Sequence, residues 1–454
     1  MNLYSPHRPL LRPVQFIVLS FAGTILAGAL LLWLPDFTRQ VSVSFVDALF
    51  TSTSAVCVTG LTVVDTGTGF SLWGQLIIMG LIQVGGLGPI IFSVLIVHFL
   101  TGSISLRDRE GVLKSVSRHH RTSLAGFLRS IVLITVLIET CGALLLALGF
   151  ARSYPMGQAL YLGVFHSISA FCNAGFSLFP DNLMGYRADA LVSLTVASLI
   201  VSGGLGFIVI VDLFYAVRDR RWLRDLSLHS RVVVLTTALL LLGGVLIFLV
   251  FEHGNALQGI PWSHQLLIAV FESVTPRTAG FNTVEYGTLT TITLFFTIFL
   301  MFVGGSSGSC AGGIKTNTFG ALVAMVRARL RGRSQVKLMD RRLPEAVIGR
   351  AISLVVLSFL VLNLVAVCLV ITEMGQIPFQ SAQGRFIAIL FEATSAFGTV
   401  GLSTGITPSL TSTGKLLLAF LMFVGRVGPL TLITLLRPRV PDKLRFAEED
   451  IQIG

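Results

Sequence analysis

The chain has 454 residues, 53% of them hydrophobic and only 12% charged, with 45 glycines and a formal net charge of +11. With a mean hydropathy of +0.84, this composition excludes an ordinary soluble domain and points to a polytopic membrane protein. The positive charge does not mark a nucleic-acid binder, because the basic residues are spread over short segments between apolar runs.

In chain order the sequence reads as an N-terminus over 1–12, four repeats over 13–121, 122–226, 227–345 and 346–437, and a tail over 438–454. The uncharged run Val14–Leu34 is long enough for a crossing of roughly 20 residues; a signal peptide has a shorter apolar core and a small-residue cleavage site. First helices are predicted near Val14–Leu34, Ser123–Phe150, Ser230–Phe251 and Val347–Ile371. Second helices are predicted near Gly74–Phe99, Leu191–Val217, Thr291–Arg327 and Lys415–Leu436.

Between the two helices of each repeat a related segment recurs: ALFTSTSAVCVTGLTVVDT, GVFHSISAFCNAGFSLFPDN, AVFESVTPRTAGFNTVEYG and ILFEATSAFGTVGLSTGIT. Each is centred on a glycine (Gly60, Gly175, Gly280, Gly401) that follows a Phe (Phe50, Phe165, Phe271, Phe391) by nine or ten residues, with Ser and Thr between. An apolar helical stretch running into a glycine and then into turn residues fits a half-helix that dips into the membrane and returns extended. Non-helical backbone at that depth must line a water-filled path or be buried in protein. The fold class that follows is an all-α polytopic membrane protein, with four helix–pore-loop–helix repeats around a central pore and eight transmembrane helices, in the manner of a potassium channel.

A dehydrated potassium ion needs several oxygens to replace its water, and glycine allows carbonyls to face inward. The candidate ring is Val58, Thr59 and Gly60; Asn173, Ala174 and Gly175; Thr278, Ala279 and Gly280; Thr399, Val400 and Gly401. A single glycine would be read as a turn or a close helix contact, but four in register point to a selectivity filter.

Lys and Arg cluster at Arg8 and Arg12, from Arg107 to Arg121, from Arg218 to Arg231, from Arg327 to Arg350 and from Arg437 to Arg445. If each repeat crosses out and back, these five segments share one side, and the positive-inside rule places them and both termini in the cytoplasm.

On the four loops and the glycine motifs of the second helices, the chain resembles the Trk/Ktr/HKT superfamily of potassium transporters over nearly its whole length. With one span before the first loop it is more like the Ktr-type (KtrB-like) membrane subunit than the Trk type. The resemblance implies one essential filter glycine per repeat and a homodimer with one pore per subunit, in the bacterial inner membrane. It also implies potassium uptake, often sodium-dependent, and a cytosolic ATP/ADP-binding regulatory ring of the KtrA type. Potassium is then the substrate and sodium a coupling ion, with membrane lipids around the chain and no organic cofactor in it. Potassium/proton symport of the Trk type and a less selective monovalent cation channel remain alternatives. No loop has the Gly-Tyr-Gly ending of a tetrameric channel, so the ring is irregular and discrimination against sodium is expected to be weaker.

The second helices carry aligned pairs, Gly85-Gly86, Gly203-Gly204, Gly304-Gly305 and Gly425-Arg426. Arg426 replaces a small residue near the bilayer centre, where arginine costs roughly 2.5–3.5 kcal/mol on insertion scales. It either bonds helix-end carbonyls or forms an electrostatic barrier beneath the filter, the role the resemblance supports. In repeat three, GGSSGSCAGG (Gly304–Gly313) cannot hold a straight helix well. With Gly304, Gly305, Gly308, Gly312 and Gly313, and with Lys315 at its cytoplasmic end, it is expected to act as an intramembrane gate. Gly308, Gly313, Lys315 and Thr316 only superficially match a phosphate-binding loop, because Ile314 separates glycine from lysine and no strand precedes. An enzyme built on this loop would need clustered His, Asp or Glu at the membrane surface, and the sequence shows none.

Glu272 and Glu392, just after the matched Phe residues, are expected to anchor structure; His166 holds the same repeat position and reads as packing. Asp47, Glu139 and Asp212 are the other acids near the membrane. The five cysteines include Cys57 and Cys172, each three residues before a filter glycine, and have no CxxC spacing. Finally, the exposed basic stretch Arg327–Arg350 and the tail Phe446–Asp450 are expected to face the regulatory subunit.

Overall fold

The computed structural model describes residues 13–38, 42–101, 124–220, 225–375, 377–429 and 431. The N-terminus with Arg8 and Arg12, the basic segment from Arg107 to Arg121, Arg221 and Arg224, the basic residues Arg437 to Arg445 and the tail Phe446–Asp450 lie outside the described residues.

The first unit comprises α1 (Pro13–Trp33), the half-helix α2 (Phe45–Val56) and α3 (Leu72–Thr101). The second has α4 (Leu124–Phe150), the half-helix α5 (Met156–Phe171), α6 (Ala190–Leu205) and α7 (Phe207–Arg218). The third has α8 (Leu228–Glu252), the half-helix α9 (Trp262–Val274), α10 (Thr291–Phe302) and α11 (Thr316–Leu330). A short hairpin of β1 (Lys337–Leu338) and β2 (Arg341–Arg342) leads to the fourth, α12 (Glu345–Met374), the half-helix α13 (Arg385–Gly398) and α14 (Ser412–Val427).

The crossing helices are apolar on both faces. Helix α4 buries Ile131, Leu146 and Phe150, yet leaves Leu133, Leu137, Leu144 and Leu148 exposed as a stripe at helical spacing. Helix α8 does the same with Leu235, Leu239, Leu242 and Leu246. An outward stripe of leucine is unfavourable in water and natural in hydrocarbon. Among the described residues α8, α12 and the Arg129–Phe150 part of α4 are each long and apolar enough to cross a membrane.

The first helices match their expected ranges closely, but among the described residues two second helices are not continuous, and the fourth ends at Val427, with 430 and 432–436 of its expected range outside the described residues. In the second unit α6 and α7 meet at 105°, pivoting on Gly206, whose φ of +87° is left-handed backbone suited to glycine. In the third, the helix stops at Phe302 and resumes at Thr316, with the glycine-rich run between.

Helix packing closes the units into a ring. Each half-helix lies against its own first helix and also against the second helix of the preceding unit: α5 on α3, α9 on α6, α13 on α10, and α2 on α14. The last pair joins chain end to chain start, and Lys415 Nζ donates to Asp47 Oδ1 at 2.7 Å across it. Where first helices end and second helices begin, polar staples recur. Glu252 accepts from Thr290 N and Oγ1 at 2.9 and 2.8 Å, Glu373 accepts from Thr411 N and Oγ1 at 3.1 and 2.6 Å, and Arg152 pairs with Asp189 at 2.8 Å. Described basic residues gather at the opposite end, at the close of α7 (Arg218), the start of α8 (Arg231, paired with Asp340 at 3.3 Å) and the close of α11 (Arg327, Arg329).

The paired glycines let the second helices approach the half-helices. A Cβ on Gly85, Gly203 or Gly425 would collide with the carbonyl of Val56, Phe171 or Phe397, the same place in three units. We expect Gly203→Ala to lower stability by about 2 kcal/mol through overpacking, read as a fall in the thermal unfolding midpoint. Gly243→Ala, with nothing within 4 Å of the added Cβ, is expected to leave the midpoint in place.

Candidate functional site

Each half-helix ends a few residues before its central glycine, so four helix C-termini, each with a partial negative charge, converge on the four extended strands. The backbone there repeats. Two residues before each glycine the chain is left-handed, at Val58 (φ +56°), Asn173 (+60°), Thr278 (+67°) and Thr399 (+50°), and the glycines follow at +98°, +70°, +76° and +93°. Left-handed backbone is rare outside glycine; its recurrence at one register marks a shared geometry.

The strands meet in cyclic order. A Cβ on Gly60 would lie 2.5 Å from Ala174 O, one on Gly175 2.8 Å from Ala279 O, and one on Gly280 2.6 Å from Val400 O. One on Gly401 would collide with Thr59 O, which closes the circle. The residues expected from the sequence in all four loops are thus brought together, and the carbonyl before each glycine abuts the glycine of the preceding unit. Thr59 Oγ1 and Thr399 Oγ1 are buried without a partner among the described residues.

Hydroxyls from the half-helices hold the strands from behind. Ser54 Oγ and Ser395 Oγ accept from Gly60 N and Gly401 N at 3.0 Å each. Ser169 Oγ donates to Phe176 O at 2.8 Å, and Thr275 Oγ1 donates to Phe281 O. Turned so that its nitrogen faces the acceptors, the Asn173 amide donates to the carbonyls of Ala170, Phe171 and Ile200 at 3.2 Å each.

A second row of anchors holds the chain beyond each glycine. Glu272 accepts from Thr283 N and Oγ1 at 2.8 Å each and from Tyr286 Oη at 2.6 Å. Glu392 accepts from Ser403 Oγ at 2.6 Å, Thr404 N at 3.0 Å and Thr407 Oγ1 at 2.7 Å. His166 does more than pack: besides stacking on Phe179, it bonds Ser177 Oγ at 3.0 Å and Leu178 N at 3.4 Å. It thus serves the second strand as the two glutamates serve the third and fourth. Glu139 lies beside the end of the second half-helix, accepting from Gln83 Nε2 at 3.2 Å and from Cys172 Sγ at 3.9 Å, and Asp212 accepts from Ser230 Oγ at 2.6 Å.

The glycine-rich run lies directly beneath the strands. A Cβ on Gly312 would strike the Thr399 side chain, and one on Gly304 would lie 3.1 Å from Thr278 Cγ2. The run is well bonded: Gly304 N donates to Ile314 O at 2.9 Å, Ser306 N to Gly204 O at 2.9 Å, Cys310 N to Gly203 O at 3.2 Å and Thr316 N to Gly305 O at 3.0 Å. Phe207 N, just past the bend of the second unit, reaches Gly308 O at 3.2 Å. Gly308 and Gly313 take φ of +76° and +62°. Lys315 turns back on the run and donates to Ala311 O at 2.5 Å and Gly312 O at 3.4 Å.

Arg426 is buried and ties three units together. Its Nη1 donates to Cys310 O on the run, and Nη2 donates to Gly85 O at 2.5 Å and Gly86 O at 3.4 Å on α3, while Nε has no partner among the described residues. A planar guanidinium suits such bridging where a lysine does not. The site also holds a second buried cation, at a place that the sequence analysis did not single out. Arg277, at the place of Cys57 and Cys172, is buried beside Ile200, Thr237 and Leu241, with Nε unpartnered among the described residues. Its signal was present, since a charge had replaced a small residue at an aligned position.

A ring of four half-helices feeding four closely packed strands, with a bonded loop beneath, fits a multi-pass membrane transporter. The chain belongs to the TrkH family, whose model, described as "Cation transport protein", matches residues 13–444. It is 39% identical to the Ktr system potassium uptake protein B of Bacillus subtilis over 97% of each chain. It is 37% identical to the potassium/sodium uptake protein NtpJ of Enterococcus hirae over 98% of each. The crystal structure of the potassium transporter TrkH from Vibrio parahaemolyticus superposes with a TM-score of 0.73 at 21% identity, covering 95% of this chain and 86% of that one, a likeness of fold.

Removing an anchor leaves buried donors unpaired. We expect Glu272→Ala, which orphans Thr283 N, Thr283 Oγ1 and Tyr286 Oη, to cost about 3 kcal/mol of stability. Thermal unfolding beside Glu285→Ala, an exposed site expected to be neutral, checks this.

Proposed function

We propose that the chain takes up potassium across the bacterial cytoplasmic membrane through one pore per subunit. Val58, Thr59, Gly60, Asn173, Ala174, Gly175, Thr278, Ala279, Gly280, Thr399, Val400 and Gly401 form the filter, one set from each of the repeats 13–121, 122–226, 227–345 and 346–437. The observation that carries this reading is the cyclic contact of the four glycines, each against the carbonyl of the next unit, behind a left-handed residue at the same register. Such a ring offers oxygens in place of the ion's water.

Because the strands differ in sequence, the ring is uneven, and sodium is discriminated against less strictly than in a four-fold symmetric filter. The run Gly304–Gly313 with Lys315 and Arg426 is the gate. It obstructs the route below the filter, and Arg426 adds a fixed positive charge to that route.

Uptake is sodium-dependent in this reading, supported by the potassium/sodium uptake named for the Enterococcus hirae relative. Relatives named as parts of a Ktr system support a partner subunit, which in this reading is a cytosolic nucleotide-binding ring serving a homodimer of the chain. The basic stretch Arg327–Arg350 is its docking face, and the termini are cytoplasmic by the positive-inside rule.

Expression in a cell deficient in potassium uptake tests the proposal: uptake is restored and rises when sodium is added. Gly280→Ser or Gly401→Ser is expected to reduce potassium-over-sodium preference about tenfold, equivalent to roughly 1.4 kcal/mol. Unchanged affinity and discrimination after substitution at all four glycines would sink the filter assignment.

Arg426→Ala is expected to raise flux several-fold at equal surface expression. Arg426→Lys separates the two contributions: it keeps the charge and loses the fork. Flux near the unsubstituted level in Arg426→Lys assigns the block to charge, and flux matching Arg426→Ala assigns it to the strut on Cys310 and Gly85. Unchanged flux in both removes Arg426 from the gate.

A further inference from the structure

Outside the central pathway, α10, α11 and α12 enclose an open groove of about 570 Å³, within the roughly 300–1,000 Å³ of ligand sites. Its walls are apolar, with Phe302, Phe319, Leu322 and Val326 among them. Phe299, Val323, Val326 and Leu330 are about half exposed or more, so the groove opens sideways, toward lipid.

Its two ends differ chemically. At one end the wall is Val303 and Ile314, the residues that pair across the neck of the glycine-rich run. At the other stand Arg327 and Arg331, four residues apart and so on one helix face. Neither guanidinium has an ion-pair partner among the described residues. From Phe319 to Arg331 the helix rises about 18 Å, close to half the roughly 30 Å hydrocarbon core. One leaflet's acyl chain therefore fits the distance, with the charges at headgroup depth.

We propose that this groove holds an acyl chain of an anionic phospholipid, its phosphate on Arg327 and Arg331 and its chain end against Val303 and Ile314. Hydrocarbon fills an apolar groove that water fills poorly, and the headgroup supplies the counter-charge. Basic pockets between membrane helices at the cytoplasmic surface recognise such headgroups. A second copy of the chain laid on the same face would instead bury two unpaired guanidinium groups, a costly arrangement. Occupancy presses on the neck of the run, so the lipid also biases opening; this part rests on the run being the gate.

The test uses the full-length protein in vesicles of phosphatidylcholine alone or with phosphatidylglycerol, reading retained lipid by native mass spectrometry and potassium flux in parallel. Retention of phosphatidylglycerol is expected to fall at least tenfold in R327A/R331A, and to fall likewise in Val326→Trp, which fills the groove and keeps both charges. Inorganic phosphate is not expected to displace the lipid. Flux of the unsubstituted protein is expected to change with phosphatidylglycerol, and that of both variants is not. Equal retention in all three proteins overturns the site, as does efficient cross-linking of Val326→Cys to a second copy. Retention lost as expected, with flux indifferent to lipid in every protein, upholds the site and instead counts against the run as gate.

Discussion

Everything in this molecule depends on keeping four stretches of non-helical backbone at membrane depth. Hydrocarbon offers no partner for a free N–H or C=O, so each strand must be satisfied by protein. The half-helices supply the first row of support through Ser54, Ser169, Thr275 and Ser395. Glu272, Glu392 and His166 supply the second. Remote contacts serve the same end: the glycines at 85, 203 and 425 bring the second helices against the half-helix ends, so that no gap is left behind the strands.

The four units solve this problem with different side chains. A carboxylate anchors the third and fourth strands, while an imidazole anchors the second. Lower down the divergence has a different effect. The second helix of unit two bends by 105°, that of unit three opens into a bonded loop, and unit four contributes a guanidinium that reaches back to α3. Symmetry is kept in the backbone of the strands and relaxed in the second helices beneath them.

Much of the architecture was legible in the sequence because its strongest constraints are steric and periodic. Four glycines at one register, each nine or ten residues behind a Phe, and apolar runs of crossing length give the half-helices, the strands and the first helices to within a few residues. Less visible were features that depend on distant partners. The bend at Gly206 was hidden inside an unbroken apolar run, where the Gly203-Gly204-Leu205-Gly206 string was the available signal. That His166 anchors a strand follows from the position of Ser177 and Leu178 in space, not from residue type. Arg426 was recognisable as an exception, yet its acceptors lie 116 and 341 residues away, beyond any local pattern. Arg277 illustrates the converse: a visible exception whose meaning needs the packing around it.

Closure of the ring between its first and last parts bears on how the protein is made. The bond from Lys415 to Asp47 spans 368 residues, and α2 finds its neighbour α14 only after the final unit has entered the membrane. Until then the first strand, synthesised earliest, has one flank without protein. Insertion proceeds from the N-terminus at roughly 5–20 residues per second, so the nascent chain spends tens of seconds as an open arc with polar backbone facing lipid or translocation machinery. A chain that stops within unit four is therefore a three-quarter arc whose first half-helix lacks its neighbour α14 and the bond from Lys415. Assembly is in this sense all-or-none, and the last helix to arrive decides whether the first was placed to any purpose.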